Sequence, residues 1–145
     1  VGKDGLAAHA AVVREVGVGH HPVVVAHRGD AFVLHRADVE GAELEVLRGA
    51  RETLRNCRPC LSIEIEERHR PGSTRAVPEF LRELGFEGWF EFFGEWRHIE
   101  DLDVATMQRA SPSPAEFTVS HPYVFTFYFV PSERREELGH LARLP

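Results

Sequence analysis

The feature that most limits how this chain can fold is the octet Arg36-Ala37-Asp38-Val39-Glu40-Gly41-Ala42-Glu43, where an apolar run ends in acidic residues, a glycine and an immediate helix start. Upstream, Ala31-Phe32-Val33-Leu34 is the short apolar run of a buried parallel strand. Downstream, Leu44, Leu47 and Leu54, with Val46 and Ala50 beside them, recur at helical spacing. In an open α/β sheet, ligands bind at the carboxyl ends of the strands, so Asp38 and Glu40 stand where a site belongs. Gly41 allows close backbone approach, and a helix N-terminus favours nearby negative charge. The same residues have a plainer reading, because strand-to-helix turns use Asp as a capping residue in any α/β protein.

The rest of the chain alternates in the same way. Asp4 predicts a helix from Gly5 to about Val16, ended by Gly17. Gly17-Val18-Gly19 lacks the preceding strand that a phosphate-cradling loop needs, so it reads as a helix stop. Val23 to Ala26 reads as a strand able to lie beside the Phe32 to Ala37 strand and cover its edge, and Arg28-Gly29-Asp30 as the turn between. A helix over about 42–54 leads into a strand from Leu61 to Glu66. Pro71-Gly72 precedes a helix from about Thr74 to Leu84, with Pro78 placed in its first turn and Gly85 as its stop. Phe86 to Phe93 is an aromatic-rich strand, and 94–122 reads as a long irregular connection of the kind that forms lids. Val124 to Val130 is the last strand, and Ser132 caps a short surface helix over 133–144.

The 145 residues, 43% hydrophobic, suit one compact domain. A net charge of −6 offers no general attraction to nucleic acid or anionic lipid. No run approaches the roughly 20 apolar residues of a membrane-spanning helix, and no basic-then-apolar leader opens the chain, so a cytoplasmic protein is expected. Cys57-Arg58-Pro59-Cys60 lacks the second pair that zinc needs and is expected to hold reduced thiols packed at a helix-to-strand turn. His20, His21 and His27 have no tight ligand spacing.

The octet and its continuation, Leu44-Glu45-Val46-Leu47-Arg48-Gly49-Ala50, resemble the signature of the FkbM family of S-adenosylmethionine-dependent methyltransferases. The resemblance continues through 59–69 and Leu84-Gly85-Phe86-Glu87-Gly88-Trp89-Phe90 to Tyr123-Val124 and Phe127-Tyr128-Phe129-Val130-Pro131. It implies a Rossmann-like class I methyltransferase sheet in part: strands four to seven with intervening helices, the last strand antiparallel and the last two forming an antiparallel, hairpin-like edge. On this reading 1–31 is a poorly matched N-terminal segment, 32–131 the C-terminal half of the domain, and 132–145 a surface tail helix. The family's glycine-rich donor loop has no counterpart in this sequence, so weak donor affinity is expected of the chain by itself. Arg36-Ala37 and Phe125-Thr126 depart from the family's usual Lys-Ile and paired asparagines.

The resemblance implies S-adenosylmethionine as cofactor and a small-molecule or glycan acceptor. Asp38 resembles the acidic residue beside the donor's methionine portion or the acceptor, Glu40 its companion, and Glu64 the acidic residue of the next strand. Glu43, one turn into the helix, reads as structural. Glu64 and Glu66 alternate with Ile65 and so share a strand face. His69 follows, and an imidazole exchanges protons near neutral pH; beside Glu67 and Arg68 it reads equally as a solvated loop histidine. The catalytic candidates are Asp38, Glu64 and His69, and the donor-binding candidates Asp38 and Glu40. Three functions compete: an O-methyltransferase seen as a partial chain, a non-catalytic truncated or decayed α/β module, and, more weakly, a metal-dependent hydrolase using the histidines with Glu64 and Glu66.

Overall fold

The computed structural model describes residues 25–28, 31–34, 41–109 and 123–141. Within them a mixed six-stranded sheet runs in the order β1-β2-β3-β6-β4-β5. Strand β1 (Val25–Arg28) lies antiparallel to β2 (Ala31–Leu34), with Arg28 opposite Ala31. The turn residues Gly29 and Asp30 fall outside the described residues, as do the expected first helix, Gly17-Val18-Gly19, His20 and His21.

Parallel pairing begins at β3 (Cys60–Glu64), where Phe32 of β2 sits opposite Leu61. The last strand, β6 (Thr126–Pro131), is antiparallel to β3 on one side and to β4 (Phe86–Phe92) on the other. It therefore lies between β3 and β4 rather than at an edge, and among the described residues the sheet ends on that side at β5 (Glu95–His98), which closes a hairpin with β4.

Alternation decides the two faces. Leu61 and Ile63 of β3 register with Phe129 and Phe127 of β6, and together with Phe86 and Phe90 they point to one side. That side packs against α1 (Glu43–Gly49), α2 (Arg51–Cys57) and α3 (Ser73–Glu83), which contribute Leu47, Leu54, Val77, Phe80 and Leu81. Each such fully buried side chain contributes about 1.5–3 kcal/mol. The other face carries half-buried Glu64, Trp89, Trp96 and Tyr128, with Cys60, Val130 and Leu138 forming a smaller cluster.

Several expectations change. The helix expected over 42–54 is two helices parted at Ala50, after Gly49, whose low helix propensity favours the break. Helix α3 starts at Ser73, one residue early, so Pro78 is inside it rather than in its first turn and forgoes one bond to the Thr74 carbonyl. Strand β3 ends at Glu64, not Glu66, although Ile65 N–H still donates to the Phe125 carbonyl at 2.8 Å.

The stretch expected to be irregular after Phe93 holds β5, a 3-10 turn (Ile99–Asp101) and α4 (Val104–Met107); only 110–122, including Ser111 to Pro114, falls outside the described residues. After β6, Ser132–Glu137 is a 3-10 segment kinked at Arg134, followed by α5 (Leu138–Leu141), rather than one helix. It is tied down by Arg58 to Glu133 at 2.7 Å and by Arg134 to the Arg58 carbonyl at 2.8 Å. Cys60 is buried as expected, whereas Cys57 is exposed. No described helix is long and apolar enough to cross a membrane.

Candidate functional site

The turn that opens α1 and the loop that leaves β3 meet. Gly41 has φ +82°, and a Cβ there would lie 3.2 Å from the His69 carbonyl oxygen and 3.3 Å from Arg70 Cβ. Both the left-handed backbone and the close approach call for glycine. Arg70 fastens the contact, donating through Nη1 to the Gly41 carbonyl at 3.0 Å and to Glu45 Oε2 at 2.5 Å.

Glu43, the first residue of α1, accepts the Gly41 N–H at 2.9 Å. Burial pushes its carboxyl above the ordinary carboxylate value. Hydrogen bonds from the Glu43 and Gly41 N–H groups, and the charges of His69 and Arg70, offset part of that rise. Glu43 was expected one turn into the helix; it is the first residue of α1, and its bond to Gly41 lies within the turn.

Beyond β3, His69 Nε2 lies 3.2 Å from Glu66 Oε1, with His69 23% and Glu66 12% exposed in their side chains. Arg68 Nε sits 2.7 Å from Glu66 Oε2. Burial alone would raise the Glu66 carboxyl, but hydrogen bonds from Arg68 and Tyr123 and the charges of Arg68 and His69 outweigh it and hold the group below its ordinary value. Tyr123 is pushed up to about 12, first by burial and then by its bond to Glu66 and that carboxylate's charge. Its ring also carries the Arg68 guanidinium, 5.9 Å from the ring centre.

Two side chains hold the loop in place. Glu67 accepts the N–H groups of Gly72 and Thr74 and the Thr74 hydroxyl, fixing the start of α3. Buried Gln108 accepts the Glu67 N–H at 2.9 Å and donates to the carbonyls of Ile65 and Val124 at 2.7 and 2.8 Å.

His69 Nε2 is within hydrogen-bond distance of Glu66 Oε1, and the tautomer of the ring sets which of the two donates.

Of the expected site residues, His69 is brought to the signature turn. Glu64 is half-buried at the end of β3, opposite Thr126, on the sheet face away from α1 to α3. Asp38 and Glu40 lie outside the described residues, immediately before Gly41. Glu66, read in the sequence as a second strand-end acid and as part of the weaker hydrolase alternative, joins the cluster with Tyr123 and Gln108, which were not read as site residues. Glu66 was visible as a second acid beside Glu64 and Tyr123 as part of the resemblance, whereas Gln108 gave no signal. Among the described residues no group of His, Cys, Asp and Glu is placed to hold a metal ion.

Residues 24–87 match the family model of the methyltransferase FkbM domain. They belong to the FkbM methyltransferase family. The FkbM segment spans β1 to the start of β4 and so contains both loops of the cluster, the Gly41 turn and 65–72. No curated protein and no solved structure matches the chain.

Proposed function

We propose that the protein is an S-adenosylmethionine-dependent methyltransferase that alkylates a hydroxyl of a small molecule, sugar or glycan. On this reading Asp38 and Glu40 line the donor, Asp38 and Glu64 flank the reacting groups, and His69 receives the acceptor proton. The observation that carries it is that the loop bearing the Glu66–His69 pair packs its backbone, the His69 carbonyl, against Gly41 of the FkbM signature. Strand β6, antiparallel between β3 and β4, supports taking β2, β3, β4 and β6 as the last four strands of a Rossmann-like sheet. It also supports a methyltransferase portion reaching residue 131, followed by a tail.

Glu66 is held ionised by Arg68, Tyr123 and His69, so its charge is taken up in holding this loop and orienting His69. When bound, S-adenosylmethionine supplies an electrophilic methyl group. The chain's part is positioning and proton handling: Gly41 lets the loop approach, Arg70 and Glu45 lock it, Glu66 orients His69, and His69 accepts the hydroxyl proton. Positioning of this kind can supply several kcal/mol, and a placed base about 10²- to 10⁴-fold in rate.

The test is transfer of isotope-labelled methyl from S-adenosylmethionine to a panel of alcohols, sugars and glycans. Label is expected on an acceptor hydroxyl, with the rate falling about 10²-fold or more in His69→Gln. Unchanged turnover in that variant removes His69 as the base, and neither donor binding nor transfer to any hydroxyl argues for the non-catalytic module.

A further inference from the structure

Among the described residues, strand β5 is one of the two outer strands of the sheet, and its sequence is Glu95-Trp96-Arg97-His98. The hairpin joining it to β4 turns through Phe93 and Gly94, at φ +53° and +78°. With only two residues in the turn, the closing pair Phe92–Glu95 shares the ladder bonds. Bonding then alternates along β5, so Trp96 and His98 direct their backbone N–H and C=O away from β4.

The geometry points to a second copy of this chain as the partner of that edge, joined by antiparallel β5–β5 pairing about a two-fold axis through Trp96. An axis perpendicular to the sheet keeps like faces together, so residues whose numbers mirror about Trp96 lie opposite one another. Trp96 meets the partner's Trp96 as a hydrogen-bonded pair. Glu95 then faces the partner's Arg97, and Arg97 the partner's Glu95, in the closely spaced pairs where side chains interact most strongly.

Short, charged edge strands commonly prevent association. What separates this edge from a blunted one is sign: a run of like charges repels its two-fold image, whereas Glu95 and Arg97 meet theirs with opposite charge. Both are at the surface, with side chains 77% and 40% exposed and 4.0 Å apart within one chain, where the Arg97 guanidinium also lies 4.8 Å from the Phe92 ring centre.

Sedimentation equilibrium of the 145-residue chain over a concentration series tests the pairing. A reversible dimer is expected for the wild type, and Glu95→Arg or Arg97→Glu alone, each placing like charges opposite, is expected to weaken it about ten-fold. The double exchange, Glu95→Arg with Arg97→Glu, restores complementarity and should restore the dimer. Circular dichroism checks that each variant folds. If one does not, hydrogen exchange at the wild-type Trp96 amide tests the same pairing, with protection expected to grow with protein concentration; protection independent of concentration overturns it. A wild-type monomer throughout, a dimer indifferent to the single reversals, or a double exchange as weak as folded singles also overturns the proposal.

Discussion

Gln108 donates its side-chain amide to the Ile65 carbonyl at 2.7 Å, across 43 positions of sequence. The same side chain bonds Val124 and Glu67, so one buried amide fixes the end of β3, the approach to β6 and the loop that carries His69. Replacing it with alanine leaves three buried or half-buried backbone groups without that partner, at about 1–3 kcal/mol for each that water cannot reach. Gln108→Ala is therefore expected to destabilise the fold by about 2–4 kcal/mol in urea unfolding; a change under about 0.5 kcal/mol would show that the staple is replaceable.

Glu66 gives the cluster a pH dependence with a definite sign. Its folded carboxyl is held below the ordinary value of 4.5, so its stabilising contribution is complete above that pH and is lost as pH falls through the folded value. Glu66→Gln should cost stability at neutral pH and progressively less in acid, where the wild type loses the same interaction. The Tyr123 phenol, at about 12 in the wild type, should move down towards its ordinary value in that variant. Ultraviolet titration at the phenolate band reads the second effect; an unmoved Tyr123 would separate it from Glu66.

Glu43 has the opposite sign. Burial raises its carboxyl, so the native state keeps that proton to higher pH than the unfolded chain does, and this contribution falls away as pH rises from 4.5 through the folded value. Glu43→Gln keeps an oxygen to accept the Gly41 N–H but carries no charge. Urea midpoints should show the variant at least as stable as the wild type at about pH 7, with the margin closing by about pH 4. A variant clearly weaker at neutral pH would mean that the carboxylate charge itself supports the turn.

The sequence made the local elements legible where burial has a period. Val77, Phe80, Leu81 and Leu84 mark one face of α3, and Leu61 and Ile63 mark the inward face of β3. A strand read at Val23 to Ala26 beside β2 was legible as cover for an edge, although the observed strand is Val25–Arg28 and takes in Arg28, which was read as part of the turn. The β4–β5 hairpin was not, because Phe93 gives no sign of a left-handed turn and Gly94 alone reads as a loop. Placing β6 between β3 and β4 depends on long-range pairing that a strand's own residues do not encode. At the site, His69 stands out by its place after an acidic strand end, but its partner Glu66 follows from where the strand stops, two residues earlier than alternation suggested. Gln108 is one glutamine in a polar stretch until the fold brings Ile65 and Val124 to it.

If the Gly41 turn and the His69 loop form one wall of a methyl-transfer site, binding can map that wall even when affinity is weak. Amide nuclear magnetic resonance spectra of the 145-residue chain, titrated with S-adenosylhomocysteine, the demethylated product of the donor, test this most directly. Progressive shifts are expected at Gly41 to Glu45 and Glu66 to Arg70, with the β4–β5 hairpin unmoved. Shifts absent from both loops at millimolar ligand, or confined to the hairpin, would contradict the proposed site.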